Sequence, residues 1–229
     1  MNGVLFAFPH QAAVGHLVPK AKILEHSQVR SRTRRLLIDE IERINWAYKL
    51  APETLLLSST DQITEIQIFE ILLRKQSISI DLLRAIDNAI PFPIFFELYF
   101  GDEVKLVAIP KRRSEADRTK WVSSEMLNGR WLSINQERTP LPVALDMQNL
   151  YESMLRQLLP LPQRRGETLK DQLERWALIG KKTKEIARLE SRLNHEKQFN
   201  RKVEINEELK RQRAVLLELH NDGKKEDNG

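Results

Sequence analysis

The run Thr64–Arg74, with the sequence TEIQIFEILLR, constrains the fold more than any other part of the chain. In an extended strand, its apolar side chains fall on both faces, because successive side chains point to opposite sides. A strand that is apolar on both faces is typical of the centre of a covered sheet. We therefore predict a central strand here, with the carboxylate of Glu70 on an otherwise aliphatic face.

The segments around this strand predict an α+β domain over residues 1–160, with a mainly antiparallel sheet and flanking helices. Residues 1–29 should be mostly loop with short pieces of structure, since Pro9, Gly15 and Pro19 interrupt them. The other predicted elements are a helix from Ser31 through Tyr48, a short strand over 54–58, a helix over 79–89, a strand over 93–100 that turns at Gly101 into a strand over 104–109, short strands over 121–123 and 130–134, and a helix over 146–159.

A second region follows the Pro- and Arg-rich segment at 159–166. From Leu169 to His220 the chain has no proline, and its leucines and isoleucines recur at helical spacing. The stripe shifts between Leu193 and Ile205, which leaves two alternatives open: a hairpin of two helices, or one long helix that changes partners. We predict a coiled-coil arm over 167–220 and a disordered tail over 221–229.

The composition restricts the cell compartment and the binding partners that we expect for the protein. Cysteine is absent, which excludes disulfides and thiolate zinc sites and fits a reducing cytoplasm. From the N-terminal residues we expect no secretory signal, and no apolar run of the sequence is long enough to span a membrane. We therefore expect a cytoplasmic protein. The net charge of +5 permits contact with nucleic acid, provided that the basic residues cluster.

Candidate catalytic chemistry is limited to carboxylates on the predicted sheet. Glu70 and Glu97, with Lys105 on a neighbouring strand, are the candidates for holding Mg²⁺ and activating water for phosphodiester cleavage. Nucleases of this kind usually place the lysine two residues after the second acid on one strand, where this chain has Leu72. The alternative for Glu70 is a buried carboxylate paired with an arginine or with backbone groups. We expect no resident metal or other cofactor outside this nuclease hypothesis.

Two clusters of basic residues are candidates for binding nucleic acid. One stands at the start of the predicted helix at Ser31, where arginines crowd a helix end that favours anions. The other is a loop next to Trp121, in which cations and an aromatic ring suit phosphate contact and base stacking. In both places the alternative is a solvated surface with acidic partners, such as Glu115 and Asp117 in the loop. The candidates are Arg30, Arg32, Arg34 and Arg35 in the first cluster, and Lys111, Arg112, Arg113, Arg118 and Lys120 in the second.

Phe199 is the candidate for partner binding in the C-terminal region. It lies in a polar segment together with Arg201 and Lys202. An aromatic residue in such a segment either packs against the facing helix, which we favour, or docks onto another molecule.

Several motifs together resemble a bacterial family known only as a domain of unknown function. They are Glu65–Ile71 (EIQIFEI), Ile90–Leu98 (IPFPIFFEL), Ser114–Val122, Leu141–Asp146 (LPVALD) and Glu196–Asn206 (EKQFNRKVEIN). The resemblance covers nearly the whole chain. It implies a gene encoded beside those of a DNA methyltransferase and a helicase, in loci like those of restriction–modification or phage defence. The resemblance identifies no catalytic residues.

These observations lead to two functional hypotheses. The first is a non-catalytic accessory subunit that binds a protein partner, such as the helicase or the methyltransferase, and DNA, with self-association through the coiled coil as a further expectation. The second is a metal-dependent nuclease that uses Glu70 and Glu97.

Overall fold

The computed structural model of this 229-residue protein describes residues 3–26 and 31–221, which fall into two compact units that meet between Pro160 and Leu161. Arg30 and the predicted tail after residue 221 lie outside the described residues. The helices are α1 (Lys20–His26), α2 (Ser31–Glu40), α3 (Pro52–Leu55), α4 (Ile80–Ala89), α5 (Met147–Leu158), α6 (Leu169–His195) and α7 (Phe199–His220). The strands are β1 (Phe6–Ala7), β2 (Ala13–Leu17), β3 (Ile41–Leu50), β4 (Ile66–Leu73), β5 (Ile94–Phe100), β6 (Glu103–Ala108), β7 (Lys111–Arg113), β8 (Trp121–Ser123), β9 (Leu127–Asn128), β10 (Leu132–Ser133) and β11 (Thr139–Pro140).

The main sheet of the first unit has the order β10–β6–β5–β4–β3–β2, and β9 also pairs with β6. Its neighbouring strands are antiparallel except β4 and β5, which run parallel because α4 connects them as a crossover. Strand β4 lies inside the sheet, and the side chains of Ile66, Ile68 and Ile71 are fully buried. The predicted α+β class and its mainly antiparallel sheet are confirmed.

Both faces of this sheet are covered. On one face, Leu37 of α2 and Leu82 of α4 pack in one buried cluster with Phe69 and Phe96. On the other face, the ring of Tyr151 from α5 meets Phe95 edge to face, with 5.9 Å between the ring centroids. This second face carries the polar residues described below.

The helix predicted from Ser31 through Tyr48 is wrong in its second half. Helix α2 ends at Glu40, and strand β3 begins at the next residue. The pairing of β3 with β4 shifts at two places, so the buried positions of β3 recur every third residue instead of every second. Such bulges insert an extra residue into the strand. The resulting spacing imitated the apolar stripe of a helix.

The short strand predicted over 54–58 is also wrong. Residues Pro52–Leu55 form a helical turn, in which Pro52 occupies the first position that its fixed φ favours. The hydroxyl of Thr54 accepts a hydrogen bond from the Ala51 N–H at 2.9 Å, which closes the start of the turn. Leu56 ends it in the left-handed conformation, at φ 56°.

The second unit is a hairpin of two helices. Helix α6 ends at His195 and α7 begins at Phe199, within the polar segment where a turn is one of the predicted alternatives. Four side chains form the buried seam between the helices: Ile186, Leu189, Ile205 and Leu209. The alternative of one continuous helix is therefore wrong.

An arginine ties the open end of this hairpin together. The buried guanidinium of Arg175 donates to both oxygens of Glu167, at 2.7 and 2.8 Å, and to the carbonyl of Leu219 near the end of α7, at 3.0 Å. Arg164 adds a bond of 2.7 Å to the carbonyl of Glu218. These bonds satisfy carbonyls that the last turn of a helix leaves free.

Candidate functional sites

Glu70 and Glu97 lie side by side on one face of the sheet. They are register partners on the parallel strands β4 and β5, so their side chains point the same way. Asn45 of β3 is the register partner of Glu70 and donates to its carboxylate at 3.0 Å. The sequence therefore located two carboxylates that the fold does bring together.

Glu97 is neutralised by an arginine from a distant loop. Its carboxylate is fully buried and accepts two hydrogen bonds from Arg138, at 2.7 and 3.0 Å. The hydroxyl of Tyr99 donates a third bond at 2.6 Å. The hydrogen bond to Glu97 raises the pKa of Arg138, and burial beside the same carboxylate raises the pKa of Tyr99. Glu97 is thus the buried, arginine-paired carboxylate that the sequence analysis considered for Glu70.

Glu70 keeps access to solvent through a cleft of about 310 Å³. The cleft is also lined by Arg43, Asn45, Tyr99 and Gly101, which adopts φ +55° in the turn between β5 and β6. Arg43 is exposed and forms no ion pair with any described residue. The cleft therefore presents one carboxylate and one cation to a solute.

Lys105 does not belong to this site. In the β5–β6 pairing, Leu106 is the partner of Glu97, whereas Lys105 is the partner of Leu98. Lys105 therefore lies on the opposite face of the sheet, where its ammonium is 4.8 Å from the ring centroid of Trp131. Burial lowers the pKa of Lys105. Within residues 3–26 and 31–221, no three His, Asp or Glu side chains come together as a metal site.

Lys111 is a core residue and not a surface cation, contrary to its place among the predicted DNA contacts. Its ammonium lies 3.0 Å from the carboxylate of Asp87, and both side chains are buried. It also donates to the carbonyls of Asp87 and Ile90, at 3.0 and 3.2 Å, and so closes the C-terminal end of α4. Burial lowers the pKa of Lys111 and raises that of Asp87.

The other basic residues of this region surround strands β7 and β8, which pair antiparallel. Arg113 stacks over Trp121, with its guanidinium carbon 4.0 Å from the ring centroid, so one face of that ring is already covered. Arg112 and Lys120 pair with Glu115 and Asp117 at 3.4 and 3.0 Å, the internal partners that the sequence suggested. Arg118 lies 3.7 Å from Asp61. We call residues 111–123 the basic β-hairpin.

The arginines at the start of α2 remain on the surface. Arg32, Arg34 and Arg35 are exposed, and no acidic residue lies in the first turn of the helix. None of the three forms an ion pair with a described residue.

Phe199 does not pack against α6, so the favoured alternative for it is wrong. It is the first residue of α7, and 77% of its surface is exposed. Arg201 and Lys202 follow it and are exposed as well. The preceding turn is fixed by the carboxylate of Glu196, which accepts from the N–H groups of residues 197 and 198, at 2.8 and 3.0 Å. We call residues 196–202 the hairpin tip.

Arg138, Tyr99 and Asn45 are site residues that sequence reasoning missed. Arg138 lies in an irregular loop, 41 positions from Glu97 in the sequence. A contact over this distance cannot be predicted from the local sequence pattern. The one signal was Glu97 itself, because a carboxylate in an aromatic strand requires a buried partner.

The fold and these surfaces define an α+β protein with a buried carboxylate–arginine centre, a basic β-hairpin and a C-terminal helical hairpin. Residues 6–216 match the family described as a domain of unknown function (DUF4391), and the chain belongs to that family. Neither a curated protein nor a solved structure matches the chain. No helix in the described parts of the protein is long and apolar enough to cross a membrane.

Proposed function

We propose that the protein is a non-catalytic accessory subunit of a bacterial DNA-modification or phage-defence system. It binds a protein partner through the hairpin tip and DNA through its basic surfaces. The observation that carries the proposal is the exposure of Phe199 next to Arg201 and Lys202 at a turn of defined conformation. Aromatic and arginine side chains are the residues that most often anchor protein interfaces.

The pairing of Glu97 with Arg138 supports a structural role for this carboxylate. The guanidinium of Arg138 occupies both oxygens of Glu97, which are the atoms that a metal ion would need. Removing one partner from such a pair leaves an uncompensated buried charge. Under this proposal, the role of Glu97 and Arg138 is to hold the loop before β11 on the sheet.

Support for DNA binding comes from the cations that remain at the surface. Arg118 and Lys120 are 77% and 76% exposed, and Arg112 is 42% exposed. Their ion pairs, with Asp61, Asp117 and Glu115, are of the surface kind, which contributes little and exchanges readily. The arginines at the start of α2 add a second patch.

The test for the partner is co-purification from the native operon, where the family resemblance implies a helicase or a methyltransferase. The full-length protein should retain such a partner, and Phe199→Ser should lower its affinity at least tenfold. The matched control is Leu217→Ser, because Leu217 is also on α7 and is 64% exposed. Equal retention by both variants, or self-association of the purified protein with no partner retained, would contradict the proposal.

A metal-dependent nuclease is the second candidate, and one observation favours it. Glu70 and Glu97 point into the same side of the sheet, and Glu70 lines an open cleft. A Mg²⁺ or Mn²⁺ ion would then have to displace Arg138 from Glu97. Digestion of duplex DNA that depends on the metal and is abolished by Glu70→Gln would establish this alternative, and its absence in the wild type would exclude it.

A further inference from the structure

Helix α6 carries a row of unpaired cations that the two predicted basic clusters do not include. Lys181, Lys184, Arg188 and Arg192 follow one another at steps of three and four residues, so they occupy one face of the helix. All four are exposed, and none forms an ion pair with a described residue. We call these four residues the basic row.

Several other cations of the helical hairpin form ion pairs. Lys182 pairs with Glu185 at 3.0 Å, Arg211 with Glu208 at 2.6 Å, and Arg213 of α7 with Glu190 of α6 at 2.6 Å. Glu185 and Glu190, which lie within the span of the row, are thus engaged by cations outside it, and Glu196 beyond its end accepts from backbone N–H groups. A row of like charges at neighbouring positions is mutually repulsive. The row is therefore a contiguous set of four exposed cations without an ion pair to a described residue.

The position of the row suits contact with an extended anion. At 100° per residue, the centre of the row lies about 125° around α6 from the seam formed by Ile186 and Leu189. All four cations are exposed, so packing against α7 does not cover them. The row is about 16 Å long at 1.5 Å per residue. It runs alongside roughly five phosphates of one DNA strand at 3.4 Å each.

The composition of the row indicates which nucleic acid it fits. Lysine and arginine neutralise phosphates, and α6 between Lys181 and Arg192 has no aromatic side chain on which an unpaired base would stack. These features favour the backbone of a duplex over single-stranded nucleic acid.

We propose that the basic row of α6 is a sequence-independent binding surface for the phosphate backbone of duplex DNA. This inference rests on the DNA-binding part of the proposed function and assigns that part to a different surface. The arginines of α2 and the basic β-hairpin then contribute less than α6 does.

The experiment compares two variants of the full-length protein that each lose two positive charges. Lys184→Gln/Arg188→Gln removes half of the row, and Lys210→Gln/Arg211→Gln removes two exposed cations of α7. Affinity for a fluorescent duplex of about 20 base pairs is measured by anisotropy between 50 and 200 mM salt. Circular dichroism confirms that both variants keep their helices.

The row variant should bind roughly fifty-fold more weakly than the wild type at 0.1 M salt, and the slope of log affinity against log salt should be less steep by about 2. The control should stay within a few-fold of the wild type. Equal losses in the two variants, or tighter wild-type binding to single-stranded DNA or anionic vesicles, would overturn the inference.

A wild-type protein that does not bind the duplex at 50 mM salt would overturn it as well. Partner retention through Phe199 is measured separately, so that result would leave the partner-binding part of the proposed function standing. A row variant that loses DNA but keeps the partner would support both.

Discussion

Arg138 binds the buried carboxylate of Glu97 through two hydrogen bonds, from Nη1 to Oε1 at 2.7 Å and from Nη2 to Oε2 at 3.0 Å. The same guanidinium donates to the carbonyl of Phe6 at 2.9 Å, so it links the N-terminal segment and the loop before β11 to the centre of the sheet. Strand β1 pairs with β11 beside this contact. One arginine therefore organises three segments that are far apart in the sequence.

Arg138→Met should destabilise the protein by about 3 kcal/mol, because it leaves Glu97 charged and buried without a cation. The side chain of Arg138 is 33% exposed, which places the cost at the lower end for such pairs. The change in the free energy of unfolding is measured by urea denaturation. Arg43→Met is the control, since Arg43 has no ion-pair partner among the described residues and should cost less than about 0.5 kcal/mol. If the two variants lose similar amounts of unfolding free energy, burial of the Glu97 carboxylate does not require the positive charge of Arg138.

The pair of Lys111 and Asp87 provides a sharper test, because both side chains are almost fully buried. Lys111→Met should cost about 3–5 kcal/mol, whereas the double variant Asp87→Leu/Lys111→Met should be close to the wild type. The measurement is a double-mutant cycle in urea. A double variant that is as unstable as the single one would show that packing, and not the unpaired charge, sets the cost.

The pH dependence of the Lys111→Met variant follows from the same burial. Burial raises the pKa of Asp87 above its usual 3.8, and in this variant Lys111 no longer opposes the effect, which leaves only the weaker influence of Arg84. The folded state then holds the Asp87 proton more tightly than the unfolded state does. The variant should therefore recover stability relative to the wild type as the pH falls from 7 toward 4. A deficit that does not change with pH would contradict this.

The sequence predicted the elements that have simple periodicity. Strand β4, helices α4 and α5 and the hairpin over β5 and β6 follow from local patterns, and so does the polar segment at which α6 and α7 separate. Strand β3 was missed because its two bulges give a three-residue burial period. At the candidate sites, local patterns identified Glu70 and Glu97. They missed Arg138, and they placed Lys111 at the surface, because long-range ion pairs have no signature in a single sequence.

The hydrogen bonds of Arg175 predict that the stability of the open end of the helical hairpin depends on pH. The hydrogen bonds from Arg175 lower the pKa of Glu167 below its usual 4.5, so the folded state releases that proton more readily than the unfolded state. The resulting stability is present above about pH 4.5 and is lost as the pH falls through the lowered pKa. The protection of amides near Leu219, corrected for the intrinsic exchange rate at each pH, should fall in that range in the wild type. In Arg175→Met this protection should already be low at pH 7, and unchanged protection in this variant would contradict the assignment.

The seam of the helical hairpin predicts that the second unit can be weakened by itself. Leu209 is 3% exposed between the helices, and Leu209→Ala should cost about 2–4 kcal/mol through lost burial and the cavity left behind. Leu217→Ala is the control on the same helix, because Leu217 is 64% exposed and loses little buried surface. Hydrogen exchange should increase across α6 and α7 in the first variant only, with β4 and β5 unchanged. Faster exchange in β4 as well would show that the two units unfold together, since sub-global opening follows cooperative units.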